Sequence, residues 1–164
     1  CFKPLLRLII MKLLLILLLT ATITSSNNVE KEMRSIFNQQ EYALIQTSDK
    51  DFKKIEISGK SVGYLFDAKI VSIPKSMERY NLIIIYSNDL SIRRIAIYDL
   101  ESHYGQRIAS QKWLAQFVGY NGKRAPKPGK DIDALSGATY STNSFCEVVY
   151  KTTTRLKNLA ASSN

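Results

Sequence analysis

The chain has 164 residues, 45% hydrophobic and 23% charged, with a formal net charge of +9. That length suits one domain with a modest core. One histidine and two cysteines leave no material for a disulfide framework or a Cys/His metal cluster, and no Ser/His/Asp arrangement is evident around the lone histidine. The basic excess favours anionic surfaces or acidic partners. No nucleic-acid module or Arg-rich stripe accompanies it, so no nucleic-acid partner is expected.

The first residue is Cys1 and the first methionine is Met11, so residues 1–10 read as sequence upstream of the true start. Lys12 precedes the apolar run Leu13 to Leu19, and Thr20 to Ser26 then offers small residues before a polar pair, Asn27 and Asn28. A positive start, an apolar run and a small-residue exit describe a secretory signal peptide over residues 1–26. A retained membrane anchor is the alternative reading. The apolar run is short for a span of about 20 residues, and no cysteine follows it to carry a lipid. An extracytoplasmic location is expected under either reading, with residues 27–164 forming the folded domain.

From Val29 to about Ile45 the pattern predicts a helix, with Val29, Met33, Ile36, Phe37 and Leu44 on one face and Glu30, Lys31, Glu32 and Arg34 opposite. A β region follows. Phe52, Ile55 and Ile57, the turn Ser58-Gly59-Lys60, and Val62 to Phe66 make a hairpin signal. Asp67 to Ser72 continues extended, and Pro74 to Arg79 reads as a polar connection. Tyr80 to Tyr86 contains the continuous run Leu82 to Ile85, which suits a strand buried on both faces. After the turn Ser87-Asn88-Asp89, Ile92 to Ile97 returns as a partner strand. The sum is an antiparallel sheet of four or five strands.

Beyond a bend at Glu101 to Gly105, the residues Ile108, Trp113, Leu114, Phe117 and Val118 follow helical spacing to Gly119. His103 lies in the polar bend with no partner that would give it acid–base work. Residues 121–130 form a Pro/Gly loop with four basic residues, Lys123, Arg124, Lys127 and Lys130, and no acid. It is either a solvated connector or a basic patch that holds a phosphate, docks an acidic redox partner or meets a membrane surface.

The stretch Asp133-Ala134-Leu135-Ser136-Gly137-Ala138-Thr139 carries the most information. Gly137 permits a tight turn. Thr139, Ser141 and Thr142 place hydroxyls at a helix entrance, and Phe145, Val148, Val149, Thr152, Leu156 and Leu159 continue at helical spacing. Such an entrance presents free N–H groups and the positive end of a dipole, which suits a phosphate. Plain N-capping explains the same hydroxyls, and Ser144 with Glu147 offers a capping box for a later start. Cys146 falls seven residues past Thr139, near the same face, and reads as a small core residue.

Residues 133–139 match every fixed position of the D-x-x-[ST]-G-A-[ST] signature, and the chain thereby resembles the FMN-binding domain family. That family includes flavin-bearing components of the sodium-translocating NADH:quinone reductase and of the Rnf electron-transport complex. The resemblance implies an α+β fold, a twisted antiparallel sheet with helices packed against it. It implies FMN joined through its phosphate to Thr139 by a flavin transferase outside the cytoplasm, with Asp133, Ser136, Gly137 and Ala138 as the recognition sequence and Ser141 and Thr142 close by.

Two looser likenesses accompany it. Gly63-Tyr64-Leu65-Phe66 resembles a strand of the form G-Y-x-F, although an ordinary strand with one glycine explains it equally. Glu101 to Gly105 stands where family members carry E-T-P-G-L-G. It departs from that loop at Ser102, His103 and Tyr104, and it is more similar to small stand-alone exported members. Tyr104 and Gly105 are expected beside the flavin ring. The implied function is an exported electron carrier rather than a stand-alone catalyst, with no catalytic acid or base and no metal. Its implied partners are the flavin transferase and a redox protein, with a membrane electron-transport protein one form the latter could take. Non-covalent FMN binding, or a basic exported module without flavin, are the alternatives.

Overall fold

A computed structural model describes residues 26–72, 78–102 and 105–162. Within it, helix α1 (Asn27–Phe37) leads into five strands: β1 (Ala43–Gln46), β2 (Phe52–Ile57), β3 (Lys60–Ser72), β4 (Glu78–Ser87) and β5 (Ile92–Glu101). A 3-10 turn over Gln106–Ala109, a short helix α2 (Gln111–Leu114) and a second 3-10 turn over Ala115–Phe117 follow, and the long helix α3 (Thr139–Ser162) closes the described chain. The strands form one antiparallel sheet in the order β1-β2-β3-β4-β5. This is the α+β architecture expected.

Strand β4 explains why the sheet needs cover on both sides. Its side chains alternate between two buried clusters. Tyr80, Leu82, Ile84 and Tyr86 join the cluster beneath α3 and the helical turns, while Ile83 and Ile85 join the cluster beneath α1. A bulge between Ile85 and Tyr86 shifts the register against β5, so that Ile92 and Ile95 reach the same side. The larger cluster includes Phe52, Phe66, Trp113, Phe117, Phe145, Val149 and Leu156, all nearly or wholly buried.

Several elements differ from their sequence pattern. The first helix ends at Phe37, because Asn38 takes φ 56° and breaks the hydrogen-bond ladder. Leu44, expected on that helix, instead pairs with Ile55 as part of β1. The apolar spacing from 108 to 118 resolves into three short helical pieces, since Ser110 adopts an extended conformation between the first two. Glu32, on the solvent face of α1 by pattern, is buried. Its carboxylate takes Arg94 Nε at 2.5 Å and Tyr98 Oη at 2.5 Å, which fastens α1 to β5. The last helix begins at Thr139, not at the later capping box. The leader expected over residues 1–26 lies, but for Ser26, outside the described residues, as do His103 and Tyr104.

Candidate functional site

The signature loop is held from outside itself. Trp113 Nε1 donates to the Asp133 carbonyl at 2.9 Å, and Gln116 Oε1 accepts from the Asp133 N–H at 2.8 Å. Both backbone polar groups of Asp133 are thus satisfied by side chains of the helical turns, while the residue itself is exposed. Just before it, Arg124 grips Asp131 through two hydrogen bonds of 2.5 and 2.6 Å, and the Lys127 N–H adds a third at 2.8 Å. The Arg124 guanidinium holds the Asp131 carboxyl well below the usual carboxylate range. Of the four cations in the basic loop, Arg124 is therefore committed to the loop's own structure.

The turn into α3 spans Leu135 to Ala138, closed by the Ala138 N–H on the Leu135 carbonyl at 3.0 Å. Gly137 takes φ +74° at its third position, which a type II turn requires and an L side chain resists. Ser136 and Gly137 are exposed, whereas Ala138 is buried.

Thr139 then opens α3 as an exposed residue. The other two hydroxyls expected at this entrance turn inward. Ser141 and Thr142 are both buried, and Thr142 Oγ1 donates to the Ala138 carbonyl at 2.8 Å. Their burial follows from helical geometry, which carries residues two and three past Thr139 round to the face on the sheet. What Ser141 and Thr142 offer outward is backbone alone.

The first intrahelical hydrogen bond at this end runs from the Thr142 N–H to the Ala138 carbonyl at 2.9 Å. The N–H groups of Thr139, Tyr140 and Ser141 precede it, and a helix gives such groups no partner of its own. The first turn carries no acidic side chain that would compete with an anion. Arg107 reaches the same turn, its Nη1 lying 3.4 Å from the Ser136 carbonyl. A groove of about 490 Å³ is lined by Arg107, Gln116 and residues 129–135. Tyr140, with 74% of its surface exposed, is the only exposed aromatic side chain among the described residues.

Donors, a basic side chain and an exposed hydroxyl at one point fit the phosphate end of a nucleotide. An exposed aromatic beside them fits a flat ring. Residues 78–154 match the family model described as the FMN-binding domain.

The chain carries an FMN-binding domain.

Its cofactor is accordingly FMN, and no curated protein matches the chain. The matched residues run from the start of β4 into α3, so they hold the signature, the helical turns and Arg107 together. Neither Arg107 nor Tyr140 stood out in the sequence, because a lone Arg or Tyr beside a motif has no periodicity to betray it. Gly105 is buried against the first turn of α3, whereas its neighbour Tyr104 is outside the described residues.

The glycine of the looser Gly63-Tyr64 likeness has a local cause. A Cβ there would lie 1.9 Å from the Tyr86 carbonyl oxygen on the adjacent strand. Cys146 is 2% exposed, and burial pushes its thiol up to about 12, so it sits in the core as a small inert residue. Among the described residues no group of His, Cys, Asp and Glu is placed to hold a metal ion, and no helix is long and apolar enough to cross a membrane.

Proposed function

We propose that this domain is an exported electron carrier with FMN joined to Thr139 by a phosphoester. The supporting observation is the presentation of that hydroxyl at the start of the helix, beside the first-turn N–H groups. Thr139 is exposed at the mouth of α3, while Ser141 and Thr142 are turned inward. Attachment removes one hydrogen from the Thr139 hydroxyl and one OH from the phosphate, a net addition of FMN less water. A flavin transferase is the expected partner for that step. FMN supplies the chemistry of one- and two-electron transfer when bound. The protein's own residues hold and orient. The first-turn N–H groups and Arg107 meet the phosphate charge, Trp113 and Gln116 keep the signature loop in register, and Tyr140 offers a face to the ring.

Covalent attachment suits a compartment where a dissociated flavin is lost by dilution, which accords with the apolar leader pattern at residues 12–26. The three cations of the basic loop not tied to Asp131, namely Lys123, Lys127 and Lys130, suit an acidic redox partner. Co-expression with a flavin transferase in an exporting host, followed by denaturation and intact-mass measurement, tests the reading. An increment of FMN less water that is absent from Thr139→Ala supports it. Yellow colour lost on denaturation replaces it with non-covalent binding. A colourless chain under both conditions refutes flavin carriage outright.

A further inference from the structure

Glu78 opens β4 and is 1% exposed, although its neighbourhood in sequence is a run of polar residues. Its carboxylate lies beneath the mouth of α3. The Ser102 hydroxyl donates to Glu78 Oε1 at 2.9 Å and in turn accepts the Gly105 N–H at 2.6 Å. A Cβ on Gly105 would lie 1.9 Å from Glu78 Oε1, 2.7 Å from Ser102 Oγ and 2.8 Å from Ser141 Oγ. Three side-chain oxygens from β4, from just past the end of β5 and from the first turn of α3 therefore converge on one small space. The backbone of Gly105 takes φ −89°, which any residue tolerates, so glycine stands here for room and not for conformation.

We propose that Glu78 is a positioning residue of the flavin site. Its buried carboxylate fixes Ser102, Ser102 fixes the Gly105 backbone, and Gly105 packs against the turn of α3 that presents Thr139. The chain of contacts sets the angle at which the Thr139 hydroxyl and the first-turn N–H groups meet the phosphate. Burying a carboxylate is costly unless hydrogen bonds compensate it, and a purely structural position would be served as well by an apolar side chain. The proposal rests on FMN attachment at Thr139, which the wild-type chain reports separately in the same experiment.

The experiment uses the full chain co-expressed with its transferase and follows FMN incorporation by intact mass. It also records visible circular dichroism of the bound flavin and far-UV circular dichroism at the assay temperature. Glu78→Ala is expected to slow incorporation by up to about a hundredfold, as a displacement of about an ångström at a reacting group can. It should also alter the flavin dichroism while the far-UV spectrum holds. Glu78→Gln restores both, because its amide oxygen still accepts from Ser102. Ser102→Ala, which leaves the carboxylate in place, reproduces the defect should Glu78→Ala not fold.

Gly105→Ala is expected to be less damaging when combined with Glu78→Ala than alone, since removing the carboxylate makes room for the new methyl group. Unchanged incorporation and dichroism in both Glu78→Ala and Ser102→Ala overturn the proposal. So does a loss in both variants that merely tracks the folded fraction. A wild-type chain that takes up no flavin overturns the attachment reading instead.

Discussion

The two faces of the sheet are built from the same strands but do different work. On one face, α1 lies over Ile55, Leu65, Ile83 and Ile85 through Val29, Met33 and Phe37, and its polar fastening is the buried Glu32 with Arg94 and Tyr98. The other face carries a larger aromatic core around Trp113, Phe117 and Phe145, with the signature loop and the mouth of α3 on its rim. The support face uses its buried carboxylate to hold a helix. The other face sets Glu78 beside the helix that opens at Thr139. Burial of an acid is thus a fastening device on both sides, and its functional weight depends on what is fastened.

The comparison is broken most directly at Thr139. Its replacement by alanine is expected to abolish covalent FMN while leaving the melting temperature nearly unchanged, because the residue is exposed; mass and calorimetry check the two halves. Next in size is Trp113→Ala, with an expected loss of about 3–5 kcal/mol from the cavity. Trp113→Phe sharpens this, removing chiefly the hydrogen bond to the Asp133 carbonyl at about 1 kcal/mol while loosening the signature loop. Denaturant titration alongside incorporation kinetics separates packing from positioning.

On the support face, Glu32→Ala should cost about 2–4 kcal/mol by leaving Arg94 without its partner, yet leave the flavin spectrum of the folded protein unaltered. A changed spectrum there would mean that the faces are not independent. Arg107→Gln is a smaller effect, a roughly tenfold slower incorporation with unchanged stability, the lower end of one charge-assisted hydrogen bond.

The mildest effect is read from pH. The Cys146 thiol, on α3, and the Tyr120 hydroxyl are each raised to about 12 by burial. The folded form therefore resists ionisation that the unfolded chain undergoes from about pH 9. Their contribution is full below that range and lost as pH rises towards 12. At the acid end, Asp49 is lowered chiefly by its hydrogen bond to Arg155, so the stability it lends is present above its ordinary value of 3.8 and lost below it. Unfolding midpoints measured across both limits check the signs.

The strands were legible because alternation and turn residues are local signals. Ser58-Gly59 and Ser87 to Asp89 announced their hairpins, and the run Leu82 to Ile85 announced a strand covered on both faces. The signature was legible because it packs a turn, a small buried residue and a hydroxyl into seven positions. What escaped depended on distant partners. Glu32 and Glu78 looked solvated, since nothing in their neighbours in sequence reveals Arg94 and Tyr98, or Ser102. Arg107 became meaningful only when the fold carried it to Ser136. The inward turn of Ser141 and Thr142 needed the helix start to be fixed at Thr139, which the competing capping box obscured.

The strand order has a consequence for timing. Each strand pairs with its immediate predecessor in the chain, so the sheet can assemble hairpin by hairpin as the polypeptide lengthens. Arg155, deep in α3, is the clasp that reaches back to Asp49 and Asp51 and lies 5.3 Å above the Phe52 ring. The helix that opens at Thr139 comes last in the described order of elements, and it grips the edge laid down first. A modifying enzyme that reads the docked turn would meet its substrate only after the polypeptide has been made through that clasp, so half-made chains would escape without pigment.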